Sequence, residues 1–281
     1  MTFNSEKNYH KLSNMIWIVF VISACTFLLC TILYLKIPRT LLVLRENQLG
    51  DVIPKRIVQT WPTHNLGILR KVAKTWQDLN PTFTYTLFDD TECEELIRSN
   101  FAPRVQRAYK SIKAGAFKAD LWRYCELYLN GGVYVDVDTV CLGSIDNIVD
   151  PNATLVTPID LNPFNLFNAF IAVVPGHPVM LMCIKTIVHN VESKKKQIGL
   201  DFSGPGVLGK CVAKYLGMRR KQFVLSDTIN KGVQLLHFDE QTEIISNAYG
   251  EYLMLNKNGD SNLRRLYDSE VDKAGIIKYE W

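Results

Sequence analysis

Two aspartates one residue apart, Asp136 and Asp138, end the apolar run Gly-Val-Tyr-Val and are the residues best suited to chemistry. In a strand, alternation puts both carboxylates on one face and Val137 on the other. Two carboxylates so close disfavour each other's charge, and a cation between them relieves this. Hard oxygen ligands select Mg²⁺ or Mn²⁺. These ions take one or two carboxylates and complete their shell with substrate phosphate and water. A nucleotide diphosphate is the natural completion, because a bound metal neutralises charge on a departing diphosphate. A bare Asp-x-Asp is also a common acidic pair at a strand end. Upstream, Asp120 and Arg123 are spaced to sit one turn apart on the same side of a helix. Taken alone, they read as a surface ion pair worth little.

A helix and a strand must hold these side chains. The spacing of Phe117, Leu121, Tyr124 and Tyr128 predicts a helix over 117–129. Gly131-Gly132 stops it and turns the chain. The run 133–137 then reads as a buried strand that delivers the aspartates at its C-terminal end, where open α/β sheets bind ligands. Further strands are predicted over 56–60, 82–88 and 170–174, and helices over 68–78, 92–98 (capped by Asp90) and 178–191. This alternation argues for an α/β domain with a mostly parallel central sheet.

At 281 residues the chain holds one good-sized domain or two small ones. With 47% apolar and 21% charged residues and a net charge of +4, it has ordinary globular composition. It shows no basic stripe or motif for nucleic acid. The uncharged run 15–35 is long enough to span a bilayer as a helix, so it reads as a transmembrane anchor. The organisation expected is a tail over 1–14, the anchor over 15–35, a stem over 36–52 and a catalytic-type domain over 53–281. Lys7 and Lys11 on one flank and Lys36, Arg39 and Arg45 on the other do not favour a lumenal domain. The sequon Asn152-Ala153-Thr154 permits glycosylation if the domain is lumenal. Cys93, Cys125, Cys141, Cys183 and Cys211 contain no CxxC and read mostly as buried thiols, with one disulfide possible in an oxidising lumen.

The pattern Ala119-Asp120, Arg123-Tyr124, Leu127, Gly131-Gly132, Tyr134, Asp136 and Asp138 resembles the sugar-binding DxD region of family 32 glycosyltransferases. That family includes Golgi mannosyltransferases and inositol-phosphoceramide mannosyltransferases, and its donor site is similar to that of large glucosylating bacterial toxins. Weaker similarity extends from Ile53 to Gly206, through Gln59, Trp61, Trp76, Tyr85, Asn168 and Gly204-Pro205-Gly206. The resemblance implies a GT-A-type nucleotide-sugar-binding fold, a nucleotide-diphosphate sugar donor, Mn²⁺ or Mg²⁺, and retention of configuration. The anchor over 15–35 points to a glycan, glycoprotein or glycolipid acceptor at a membrane, and the resemblance implies a Golgi or ER lumenal placement. By the resemblance, Asp138 is the direct metal ligand and Asp136 contacts ribose and metal. Asp120 and Arg123 hold sugar hydroxyls, Tyr134 belongs to the donor site and Trp61 lies near the base. Gly204 allows close backbone approach; a plain turn or, for Trp61, simple core packing are the competing readings. Family members complete the metal site near the C-terminus, where His237 and Trp281 are candidates; His237 in Val-Gln-Leu-Leu-His-Phe-Asp-Glu reads first as a structural residue and second as a ligand.

Two other function classes compete. Asp136-Val137-Asp138-Thr139-Val140 fits the first motif of haloacid-dehalogenase-type phosphatases, but the later acidic pair is missing: Gly259-Asp260 is followed by Arg264. A non-catalytic sugar-nucleotide or glycan-binding protein is the other, and the intact Asp120, Arg123, Asp136 and Asp138 argue against it.

Overall fold

The computed structural model describes residues 42–43, 47–218, 222–226, 228–257 and 260–275, with a few positions between 17 and 26. The chain divides into two compact units, Met1–Leu41 and Leu42–Trp281. In the first unit Trp17, Ile22, Ser23, Cys25 and Thr26 are described; they are helical and exposed. Among the described residues no helix is long and apolar enough to cross a membrane. Most of the span expected over 15–35 lies outside the described residues, as does Trp281.

The second unit opens with β1 (Arg56–Thr60), α1 (Arg70–Leu79) and β2 (Thr84–Phe88). α1 buries Ala73 and Trp76 on one side, and the two strands pair in parallel. α2 (Asp90–Asn100) starts from a capping box in which Asp89, not Asp90, is the N-cap. Its side chain accepts from the Glu92 amide while Glu92 reaches back to the Asp89 amide. α3 (Pro103–Ser111) and α4 (Gly115–Asn130) follow and lead into β3 (Gly132–Val135). Gly131 and Gly132 both have positive φ, and a Cβ on Gly131 would come within 2.6 Å of the Pro175 nitrogen. The sharp helix-to-strand turn therefore requires glycine. The remaining elements are β4 (Thr139–Cys141), α5 (Ile145–Ile148), β5 (Leu155–Pro158), β6 (Phe170–Val173), α6 (Pro178–Glu192), α7 (Pro205–Leu216), β7 (Val233–Phe238), β8 (Ile244–Ser246), β9 (Tyr252–Asn256) and α8 (Ser261–Lys273).

The strands form one sheet in the order β2-β1-β3-β6-β5-β7-β8-β9-β4. The expectation of a mostly parallel sheet is corrected: it is mixed. Parallel pairing occurs between β1 and β2, β1 and β3, and β5 and β7. β6 runs antiparallel to both β3 and β5, and β7-β8-β9-β4 pair antiparallel throughout. Helical crossovers, which parallel pairing needs, join β1 to β2 and β2 to β3; after β3 the chain returns beside it through β6. Both faces of the central sheet are covered. Tyr134 and Ile171 join the core beneath α4, α6 and α7, whereas Val133, Val135 and Phe170 join the one built with Trp76 and α5.

The compact unit reaches back into the stretch expected to be a stem. Leu42 and Val43 are buried in the core, and Val43 bridges to Phe101. The Asn47 side chain donates to the carbonyls of Tyr128 and Leu129 at the end of α4. The five downstream cysteines are buried free thiols.

Candidate active site

β3 stops at Val135, so Asp136, Val137 and Asp138 form a turn rather than the end of a strand. The Asp136 carbonyl accepts from the Thr139 amide (3.3 Å) and hydroxyl (2.7 Å), closing this turn before β4. Strict alternation therefore does not set the two carboxylates. The Asp136 side chain is about 32% exposed and that of Asp138 only 4%. The turn is tied on three sides. The Asp136 amide donates to Ala169 (3.0 Å), Gln59 Nε2 donates to the Asp136 carbonyl (3.1 Å), and Trp76 Nε1 donates to the Thr139 carbonyl (2.9 Å). Gln59 is held in turn by the Tyr85 hydroxyl.

A buried network stands behind Asp136. Arg123 lies 3.2 Å from Asp136 Oδ1 and 3.1 Å from Asp120 Oδ1, and it donates to the Asn168 carbonyl at 2.6 Å. Its guanidinium sits 4.2 Å from the centre of the Tyr134 ring, whose hydroxyl donates to Asp136 Oδ1 at 2.6 Å. Asp120 also accepts from Asn168 Nδ2 (2.8 Å) and the Ser203 hydroxyl (2.6 Å). The surface-pair reading of Asp120 and Arg123 fails, because both side chains are under a tenth exposed. Burial pushes the Asp120 carboxyl up, with Arg123, Ser203 and Asn168 opposing. Burial works against the charge on Arg123, but Asp136, Tyr134 and Asp120 outweigh it and hold the guanidinium above its ordinary range.

Asp138 has its own cation. Its Oδ2 accepts from the Lys257 ammonium, which lies 4.0 Å from the centre of the Tyr267 ring. Burial pushes the Asp138 carboxyl up; Lys257 opposes this and Asp136 adds to it. The register of β4 against β9 explains the pair: Thr139 faces Asn256, so the residues just outside, Asp138 and Lys257, meet. Sequence inspection missed Lys257, since 119 positions separate the partners and only the antiparallel pairing unites them.

Arg123, Tyr134, Asp136, Asp138, Lys257 and Tyr267 line a cleft of about 340 Å³ at the C-terminal ends of β1 and β3, together with Trp61, Ala119 and Trp122. Trp61 is 6% exposed, packs with Leu66, Leu69 and Val137, and meets Tyr267 edge-on, so it serves the core while facing the cleft. Asp120 does not line the cleft but supports Arg123 from behind. Gly204 is the N-cap of α7, and a Cβ there would lie 3.3 Å from Asp120 Oδ2. His237 is not brought in: it stands on β7 opposite Ser246, away from the lining residues. His64, Asp89 and Glu92 could also converge on a metal, but they are partly or fully exposed and the two acids already cap α2.

The hard carboxylate pair fits Mg²⁺ or Mn²⁺ chemically. Asp136 is open to the cleft, and Asp138 already binds a cation, though one belonging to the chain itself.

Residues 69–155 match the family model described as "Glycosyltransferase sugar-binding region containing DXD motif". The chain is 26% identical over 207 residues to the initiation-specific alpha-1,6-mannosyltransferase of Schizosaccharomyces pombe, covering 63% of this chain and 52% of that protein. It is 30% identical over 143 residues to inositol phosphoceramide mannosyltransferase 3 of the same yeast, covering 50% and 39% respectively. The chain thus spans about half or less of the length of these curated relatives. Among solved structures, the PaToxG glycosyltransferase aligns with a TM-score of 0.50 at 18% identity, over 59% of this chain and 70% of that one. That likeness concerns the fold, which is a mixed α/β glycosyltransferase fold.

Proposed function

This chain carries the sugar-binding region of the DXD-motif glycosyltransferases, and from that premise we propose that it transfers a hexose from a nucleotide-diphosphate sugar to a glycan, glycoprotein or glycolipid acceptor. The observation that carries the reading is the convergence of Arg123, Tyr134, Asp136 and Asp138 on one cleft within the matched region.

Each residue has a role in this reading. Asp136 and Asp138 would hold Mn²⁺ or Mg²⁺, with Asp138 as the direct ligand. When bound, the ion neutralises charge on the leaving diphosphate. Arg123 lies in the cleft wall and engages donor sugar hydroxyls. Asp120 fixes the guanidinium directly and is itself held by Asn168 and Ser203. Gly204 keeps the space beside Asp120 clear, since any Cβ there would crowd its carboxylate. Tyr134 locks the Asp136 rotamer, and Trp61 offers an apolar ring for the base. Transfer proceeds with retention by front-side attack, the acceptor proton passing to the leaving phosphate. Positioning and electrostatics then supply the rate.

The test is a mass-spectrometric screen of nucleotide sugars for hydrolysis or transfer, with and without a chelator. One donor is turned over, and chelation or Asp138→Asn removes nearly all turnover while the fold is kept. Full activity after chelation sinks the metal assignment. A non-catalytic binder would bind donor and turn over none.

We further infer a membrane-anchored, Golgi or ER lumenal setting, supported by the apolar run 15–35 for the anchor and by the family resemblance for the lumenal side. Asn152 is exposed in a turn after α5, while Ala153 is buried and the Thr154 hydroxyl donates to the Gly232 carbonyl, so of the sequon only the asparagine is fully at the surface. Expression in eukaryotic cells should yield a glycan on Asn152, removed by glycosidase; an unmodified Asn152 with the chain digested from the cytosolic side of sealed vesicles overturns the lumenal placement.

A further inference from the structure

Lys257 occupies a position with two competing claims. Its ammonium is bonded to Asp138, the most buried acid of the DxD turn, yet its side chain is about a quarter exposed and lines the same cleft as Arg123 and Asp136. The Tyr267 ring beneath it keeps the cationic end at the cleft wall. Tyr267 in turn meets Trp61, so the start of the C-terminal segment is tied to the floor of the cleft.

The charges around the DxD turn are Asp136 and Asp138 in the cleft, with Asp120 behind its wall, against Arg123 and Lys257. A dication on the Asp138 carboxylate and the Lys257 ammonium would contend for the same oxygens, since like charges repel at contact distance. Lysine differs from arginine in carrying a compact charge on a flexible stem. It can leave one oxygen for another nearby without disturbing β9. A nucleoside diphosphate brings such oxygens into this cleft, beside the same metal.

We propose that Lys257 is a diphosphate-binding residue of the donor site, whose ammonium competes with a divalent cation for Asp138 and turns to the anionic oxygens of a nucleoside diphosphate. This rests on the glycosyltransferase reading above and adds a residue outside the matched region 69–155. It gives the C-terminal segment a part in donor capture. The competing account is a purely structural strap, in which Lys257 serves only to hold α8.

The experiment uses the full chain and three probes: Mn²⁺ alone, followed by electron paramagnetic resonance; uridine or guanosine diphosphate at saturating Mn²⁺, by calorimetry; and the corresponding nucleoside. Lys257→Gln should bind Mn²⁺ about tenfold more tightly and the diphosphate about tenfold more weakly, the scale of one charge-assisted hydrogen bond. Nucleoside binding should be unchanged. Lys257→Arg keeps the charge without the compact head, so it should still compete with Mn²⁺ and recover diphosphate binding only in part; Lys257→Met replaces the glutamine variant if that one does not fold. A strap role would loosen all three probes together or none, and either pattern overturns the proposal. Wild-type chain that turns over donor, beside a Lys257→Gln variant of unchanged Mn²⁺ and diphosphate affinity, refutes the role of Lys257 alone. Wild-type chain that binds neither diphosphate and turns over no nucleotide sugar removes the glycosyltransferase reading, and this inference with it.

Discussion

Asp120 shows what a single residue's surroundings decide. Its carboxylate accepts from Ser203 and Asn168 and faces Arg123, all away from water. Removing one member of such a network leaves a buried charge without its partner, which costs about 3–5 kcal/mol. Asp120→Ala should therefore lower the unfolding free energy by about that amount, read from denaturant midpoints. A loss below about 1 kcal/mol would return the pair to a surface role. Asp120→Asn keeps the shape and should be milder. The sequence displays the spacing of Asp120 and Arg123 and so the helical turn they share. It does not display their burial, because α4 is covered on nearly every side. Asn168 and Ser203 come from distant segments, and nothing local marks them as the partners. Lys257 was invisible for the same reason. Asp136 and Asp138 were legible as a motif, but their different exposure follows from the turn that Thr139 closes.

Among the elements, α6 carries a titration that should set acid stability. His177 is its N-cap: Nδ1 accepts from the Val179 amide, which only an unprotonated nitrogen can do. Burial lowers its pKa from 6.5 to about 4. The unfolded chain takes up the proton near pH 6.5, the folded chain only near pH 4, so between these values the unfolded state binds more protons. The stabilisation is complete above pH 6.5 and is lost as pH falls towards 4; it amounts to about 3 kcal/mol. His177→Asn keeps a good N-cap without a titrating ring. Urea unfolding at pH 7.5 and pH 4.5 should show a smaller fall for the variant than for the parent chain, and equal falls would refute the assignment. Element types in the first half were readable because α1, α4 and β2 have clear periodicity and the double glycine marks its own turn. The mixed sheet was not. β4 and β8 are three residues each, too short for a period, and the strands near the C-terminus find partners that sequence order does not reveal.

For the molecule as a whole, the question is where the folded unit starts. From sequence the boundary falls near residue 52, with 36–52 as a stem between anchor and domain. Packing moves it to Leu42. Leu42 and Val43 are each 4% exposed, and the Leu42 carbonyl accepts from the Ala102 amide at 2.8 Å. Asn47 takes up two carbonyls at the end of α4, just ahead of the glycine turn that launches β3. The Gly50 amide donates to Pro175, whose ring also presses on Gly131. The segment therefore supports both sides of the turn that aims the DxD aspartates into the cleft. Burying two aliphatic side chains contributes about 3–6 kcal/mol, a large share of a typical domain's net stability. A chain of residues 42–281 should fold, remain monodisperse and keep donor turnover. A chain of residues 53–281 should melt well below it and turn over donor more slowly, because α4 and β3 lose the residues that fix their junction. Calorimetry and the donor assay on the two truncations decide the matter. Equal melting temperatures would mean that 42–52 is a tether after all, and that the turn beneath Asp136 and Asp138 is held by the sheet and the two glycines alone.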